Sequence, residues 1–309
     1  METDQIDVYW NFVLERHRTY VRRTENRPLI DDLTQPVWTH DDVLRRNKFT
    51  NVFRVLDYGS QFLLGSLLTP DVEPEDLVMR AFLYRYQNRP EPWVAYYLEY
   101  REYPTREDLL SGRLAAFWTK YSAEGNPIFG NAYKMFSGAE NKGMTRLEWV
   151  MSLTRWLSDE TDLPAHIIKA RSLTERIQLL QQIPRCAGFM SMQIATDLGY
   201  TDALATDENE TVVAGPGALR GLKVAFGTSK DSVRLISEVR DWFADRESHG
   251  VWIETPNFAL RRPSLMDIQN TFCEFGKYDR YVREQTPEST KVFIAKHATP
   301  GEPLLPTHW

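Results

Sequence analysis

Ile183-Pro-Arg-Cys-Ala-Gly188 runs into Phe189-Met-Ser-Met-Gln-Ile-Ala-Thr-Asp-Leu198, and Val212-Val-Ala-Gly-Pro-Gly-Ala-Leu-Arg-Gly-Leu222 follows a polar loop later; these stretches decide how the chain is read. Pro184 fixes φ for a tight turn, Gly188 opens an apolar helix ending near Leu198, and a further helix starts near Pro216. A helix, turn and helix joined in this way expose backbone N–H groups at a helix N-terminus, where they can hold a phosphate. Contact of that kind reads a nucleic-acid backbone and not its base sequence. Arg185 and Gly188 are the candidates for it.

Outward from the hairpin, composition narrows the class. With 309 residues, 42% apolar and 12% aromatic, the chain can bury a large core in one or two domains. No apolar run approaches the roughly 20 residues that span a bilayer, and METDQIDVYW lacks a signal peptide's basic and apolar regions, so no membrane partner and a cytoplasmic location are expected. Cys186 and Cys273 are too few for a disulfide framework or zinc site, the six histidines are scattered, and no structural metal is expected. A net charge of −6 argues against a general nucleic-acid coat but leaves room for a local basic surface.

Helical periodicity dominates and predicts a nearly all-α fold, with helices at about 4–24, 41–68, 73–87, 106–121, 145–158, 163–182, 187–198, 216–227, 231–248 and 264–284. Thr3, Thr39 or Asp41, and Ser264 with Asp267 read as caps. Breaks fall at Arg89-Pro-Glu-Pro92, Gly125-Asn-Pro127, 137–143 and 298–306. The expected organisation is one helical unit over 1–309, in two lobes: 25–160, and 1–24 with 161–309.

Three groups of residues could carry chemistry. In the second predicted helix Phe49, Val52, Leu56, Leu63 and Leu67 make an apolar stripe, while Asn47, Asn51, Arg54, Tyr58 and Gln61 recur on another face. A solvated face would carry Lys and Glu. These side chains, with Asp57, are instead the geometrically demanding donors and acceptors that hold a base edge, a ribose or a phosphate, or that brace two helices through a buried network. The last helix buries Leu265, Ile268, Phe272 and Phe275 and presents Asn270, Glu274, Lys277 and Tyr281. A Glu274–Lys277 pair at three-residue spacing is plain surface pairing, or, in a cleft, a general base beside a phosphate-binding cation. Gly215-Pro-Gly217 permits close approach of an anion or a backbone at the start of a helix that carries Arg220. His17, among cations on an amphipathic helix, reads as a surface or packing residue. No G-x-x-x-x-G-K-[ST], dinucleotide fingerprint or G-x-S-x-G elbow is present, which argues against an autonomous P-loop kinase, Rossmann enzyme or serine hydrolase.

The hairpin resembles that of helix-hairpin-helix DNA glycosylases. In those enzymes the next helix begins with a catalytic Asp in a pattern like Leu-Asp-Gly-Asn-Val-x-Arg-Val; here Gly215 stands at that place. The resemblance implies a kept scaffold without glycosidic-bond chemistry. A second resemblance covers most of the chain. Trp10-Asn-Phe-Val-Leu-Glu-Arg16-His17-x-x-Tyr20-x-x-Arg23, Trp38-Thr39-x-Asp41, Lys48-Phe-Thr-Asn51-Val-Phe-Arg54-x-Leu-Asp57-x-Gly-Ser-Gln61, Gly188-Phe189-x-x-x-Gln193-Ile-x-x-Asp197-Leu198, Gly215-Pro-Gly217-Ala-x-Arg220-Gly221 and Cys273-Glu274-Phe-x-Lys277-Tyr278-x-Arg280 are similar to the phage thymine-hypermodification enzymes. These are the α-glutamyl/putrescinyl-thymine pyrophosphorylases, or amino acid:DNA transferases, and the helical part of 5-hydroxymethyluracil DNA kinases.

That resemblance implies a glycosylase-like helical fold, duplex DNA containing a modified thymine as substrate, and host cytoplasm as location if the chain is phage-encoded. Without a P-loop it points to the transferase branch, which replaces the pyrophosphate of 5-(pyrophosphoryloxymethyl)uracil with the amine of a free amino acid such as glycine, or of a polyamine. The enzyme would flip the base, bind the leaving charge and deprotonate the ammonium. Arg54, Arg220 and Lys277 are the expected cations, Asp57 and Glu274 the bases or amine-positioning groups. Asn51, Tyr58, Gln61, Gly215, Gly217, Tyr278 and Arg280 are expected to touch substrate. A divalent ion such as Mg²⁺ could ride on the pyrophosphate, but no ligand motif marks a place for it. The competing expectations are a non-catalytic reader of modified DNA that recruits a kinase, and a divergent glycosylase using Asp207.

Overall fold

Capping residues and apolar periodicity set the element boundaries in the computed structural model, which describes residues 3–30, 36–130, 143–245, 251–254, 256, 260–284 and 302–309. Along them run α1 (Thr3–Thr24), α2 (Asp42–Arg46), α3 (Tyr58–Phe62), α4 (Pro74–Gln87), α5 (Glu91–Tyr100), α6 (Arg106–Leu110) and α7 (Arg113–Ala123). After them come α8 (Arg146–Asp159), α9 (Leu163–Lys169), α10 (Leu173–Leu180), α11 (Gly188–Gly199), α12 (Pro216–Phe226), α13 (Ser232–Asp245) and α14 (Leu265–Arg283). The fold is nearly all helical, as the periodicity predicts. β1 (Ile253–Glu254) and β2 (Leu260–Arg261) form an antiparallel ribbon, too short for any alternation to show in sequence.

The predicted caps act at two of their three places. Asp41 accepts from the Leu44 N–H at 2.9 Å, and Ser264 and Asp267 close a full capping box on α14. The Thr3 cap rests on a side chain outside the described residues.

The largest departure is at 41–68, where one helix was expected. The chain leaves the helix at Asn47, whose φ of −125° and ψ of 148° are extended, and runs without regular structure to a 3₁₀ turn at Arg54–Leu56. Then come α3 and a π-helical segment, Leu63–Leu67. Local side-chain bonds compete with the helix here: Asn47 Nδ2 donates to the Val43 carbonyl, and Asn51 Nδ2 to that of Leu56 at 2.6 Å. Asn47, Asn51, Arg54, Tyr58 and Gln61 therefore share no helix face. The apolar stripe is buried even so.

Smaller departures have local causes. Gly112, at φ 85°, splits the helix expected over 106–121, and Ser172 caps α10 where 163–182 was read as continuous. The break read at Arg89–Pro92 already contains the start of α5 at Glu91, because a Pro in the first helical turn removes only an N–H that has no partner there.

The chain divides into two compact units. Unit 1 comprises residues 1–57 and 211–307 with Trp309, and its core is aromatic: Tyr9 stacks on Phe272 at 4.3 Å and Trp10 meets Phe243 edge-on at 4.6 Å. Unit 2, residues 58–210 with His308, packs Trp93 against Trp118 and buries a bidentate pair between Arg85 of α4 and Asp197 of α11. The stretch 172–198, read as a hairpin, is within this unit and forms α10, a turn and α11. Cys186 N–H bonds to the Ile183 carbonyl at 3.0 Å, with Pro184 next and Arg185 at φ 66°, a turn that places a side chain where glycine is favoured. On either side α10 and α11 pack together, and Glu210 and Ser172 cap α10.

Candidate functional site

Unit 1 brings together ten of the fourteen predicted site residues: Asn51, Arg54, Asp57, Gly215, Gly217, Arg220, Glu274, Lys277, Tyr278 and Arg280. Tyr58, Gln61, Arg185 and Gly188 belong to unit 2. Arg185 is exposed, and Ala187, at the N-cap of α11, makes no side-chain cap hydrogen bond.

The centre of unit 1 is the irregular segment 47–57, gripped from two sides. From α1, Arg16 donates through Nε to the Thr50 carbonyl at 2.9 Å, and through Nη2 to the Phe49 carbonyl at 3.1 Å and Asn51 Oδ1 at 2.6 Å. From α14, Glu274 accepts the Thr50 N–H at 3.1 Å and pairs with Lys277 at 3.0 Å, while Lys277 also donates to the Lys48 carbonyl. Lys277 Nζ lies 4.4 Å from the centre of the Phe49 ring, and the Tyr278 hydroxyl donates to Asp41 at 2.7 Å. The Glu274–Lys277 pair thus exists as the three-residue spacing predicts, and it fastens a loop as well as itself. Arg54 is buried, with its N–H on the Asp267 carboxylate at 2.7 Å.

Asp57 ends this segment and accepts the Asn51 N–H at 2.7 Å. Burial pushes its carboxyl up to about 7, against the opposing pull of that N–H and of Arg16; Glu274 adds to the rise. The same burial lowers Arg16 to about 10, with Asp57 its strongest favourable charge. An acid raised in the folded state keeps a proton that the unfolded chain releases, so ionisation opposes folding, and stability falls as pH climbs from about 4 through about 7. Asp57→Asn should flatten that fall. Urea midpoints of both proteins at pH 5, 6, 7 and 8, all conditions of choice for this window, check it; parallel curves would remove Asp57 as the titrating group.

Beside this network lies an open groove of about 560 Å³ between α12 and α14, lined by Arg220, Lys223, Cys273, Glu274, Lys277, Arg280 and Arg283 among others. Glycines set its geometry. A Cβ on Gly217 would meet Cys273 Sγ at 2.2 Å, one on Gly221 the Phe272 carbonyl oxygen at 1.9 Å, and one on Gly276 the Gly221 nitrogen at 3.0 Å. Close helix approach therefore accounts for Gly217, while Gly215 is the N-cap of α12 with Pro216 in the first turn. Cys273, beneath the groove, is pushed by burial up to about 11 and stays a thiol.

Sequence reasoning gave no site role to Arg16, Asp41, Lys223 or Arg283. For Arg16 a signal was present, since it stands in the buried α1 stripe after Tyr9, Phe12 and Val13 where an apolar residue would be expected. His17 is a packing residue, 3% exposed, edge-on to Phe53 and held neutral by burial to about 4. Asp207 shapes its own loop by accepting the Asn209 N–H at 2.8 Å. Among the described residues no helix is long and apolar enough to cross a membrane.

The comparisons with known proteins fit this picture. The chain is 25% identical over 297 residues to a 5-hmdU DNA kinase of Bacillus phage SP10, a match covering 89% of this chain and 45% of that protein. It thus spans less than half the length of that relative. No solved structure matches it. The family model for the helical domain of 5-hmdU DNA kinase matches residues 3–289, and the chain belongs to that family.

Proposed function

We propose that the chain is a DNA-modifying transferase of thymine hypermodification, replacing the pyrophosphate of 5-(pyrophosphoryloxymethyl)uracil in duplex DNA with the amine of an amino acid or polyamine. The observation that carries it is the meeting, in one unit, of a carboxyl raised by burial to about 7, Asp57, with the Glu274–Lys277 pair and a groove lined by Arg220, Lys223 and Arg280, which form no ion pair among the described residues. The family supports DNA bearing a modified uracil as substrate, and the motifs are similar to those of the transferases as well as to those of the kinase helical part. In the step itself the amine nitrogen bonds to the pyrimidine methylene, the carbon–oxygen bond to pyrophosphate breaks, and pyrophosphate leaves with the electron pair. The proton released from nitrogen needs a base. Asp57 suits that role better than Glu274, because a base works best with a pKa near ambient pH and Glu274 is already tied to Lys277 and the Thr50 N–H. Arg220 and Lys277 are the cations proposed to meet the charge that develops on the leaving group. Gln61 and Tyr58 remain proposed substrate contacts, and the hairpin with Arg185 and Gly188 a proposed backbone grip.

A second reading, a reader that binds modified DNA without turning it over, is favoured by one fact: Glu274 and Lys277 already have structural work in holding 48–50. Incubation with pyrophosphorylated duplex and individual amines separates the two. Pyrophosphate released only when an amine is added supports transfer; tight binding with no release under any amino acid or polyamine supports the reader.

A further inference from the structure

The groove between α12 and α14 has more cations than the proposed chemistry uses. Arg220, Lys223, Arg280 and Arg283 are all exposed, on a chain whose net charge is −6. Lys277 is paired with Glu274 and Arg283 with Asp279, but no ion pair is formed by Arg220, Lys223 or Arg280 among the described residues. On an acidic protein, cations gathered without counter-charges mark a place where the counter-charge comes from outside.

Their spacing says what kind. On α14, Lys277, Arg280 and Arg283 follow at three-residue steps, about 4.5 Å each along the axis, so the row covers about 9 Å. The neighbouring helix is held close by its glycines, Gly217 against Cys273 and Gly221 against Phe272 and Gly276, and it adds Arg220 and Lys223 to the same groove. Cations from both helices thus line one groove, larger than one small anion fills. A row of evenly spaced charges matches a polyanionic strand better than a compact ligand.

We infer that this groove is a DNA-backbone track: Lys223, Arg280 and Arg283 hold successive phosphates of one strand, independently of base sequence, along the groove that the Glu274–Lys277 pair also lines. The inference rests on the reading of DNA as the substrate, not on the transfer reaction. It adds to unit 1 a backbone contact that the sequence reading had placed only in the hairpin.

The test uses the full chain and a fluorescent unmodified duplex, with affinity measured by anisotropy at several salt concentrations between roughly 50 and 200 mM. Lys223→Glu/Arg280→Glu should weaken binding by at least ~10-fold at the low-salt end and reduce the slope of log affinity against log salt by about two, the loss expected for two phosphate contacts. Lys230→Glu/Arg234→Glu, the same charge change beside and on α13, should leave the slope unaltered. Lys223→Gln/Arg280→Gln covers the case in which reversal disturbs folding, and thermal midpoints report on that directly. Wild-type affinity and slope in both groove variants would overturn the inference, as would loss of inorganic pyrophosphate binding with duplex binding intact. Because no amine or modified base is present, a protein that tracks duplex through this groove yet transfers nothing refutes the transferase reading alone.

Discussion

Asp197→Ala should lower the unfolding free energy by about 3–5 kcal/mol, the usual loss when one partner of a buried ion pair is deleted and the other stays charged. Arg85 meets both Asp197 oxygens, Nη2 to Oδ1 at 2.6 Å and Nε to Oδ2, with the two side chains 5% and 0% exposed. The pair ties α4 to α11, the second helix of the hairpin. Since whole domains are stable by only about 5–15 kcal/mol, a loss of that size should shift the urea transition strongly to lower denaturant. Arg85→Met/Asp197→Leu, which removes both charges and keeps the volume, should recover most of it. A single variant within about 1 kcal/mol of wild type would show that the pair is not the tie the geometry suggests.

Lys277→Met should cut turnover by about a hundred- to a thousand-fold, the range typical for losing one preorganised charge at a developing anion. Methionine keeps an apolar stem over the Phe49 ring, 4.4 Å from the lysine nitrogen, so the loop at 48–50 loses its hydrogen bond and ion pair but not its packing. A kcat loss with KM for the amine and the thermal midpoint nearly unchanged marks a group that acts on the leaving charge. Equal loss of stability and affinity, with kcat intact, would make Lys277 a fastener of that loop and no more. Glu274→Gln should weaken activity less than Asp57→Asn if Asp57 takes the amine proton, and raising pH should partly restore the Asp57 variant by supplying more neutral amine.

The long elements were legible because their signals are local. α14 announces itself through Ser264 and Asp267 and an apolar spacing of three and four residues, and α12 through Gly215-Pro216, so the Glu274–Lys277 pair could be read from spacing alone. Segment 47–57 was not legible as irregular, since Phe49, Val52 and Leu56 keep helical spacing while the conformation is imposed by Arg16, some 35 residues earlier, and by Glu274, 224 residues later. Long-range side-chain to main-chain bonds of this kind leave no periodic trace. Gly217 was visible as a flexible position, yet its reason and that of Gly221, the approach of Phe272, Cys273 and Gly276, exist only once α12 meets α14. Asp57 was expected as a base or amine-positioning group from the motif it stands in; the burial that sets its carboxyl near 7 is a product of the fold.

The central claim, amine transfer onto a modified uracil, is tested most directly by the mass of the product base. Duplex DNA carrying 5-(pyrophosphoryloxymethyl)uracil is incubated with the full chain and an amino-acid and polyamine mixture, digested to nucleosides and measured by mass spectrometry. The account predicts a nucleoside in which the pyrophosphate is replaced by one amine, formed by wild type and strongly reduced in Lys277→Met. An unchanged pyrophosphorylated nucleoside, despite DNA that is demonstrably bound, would contradict it.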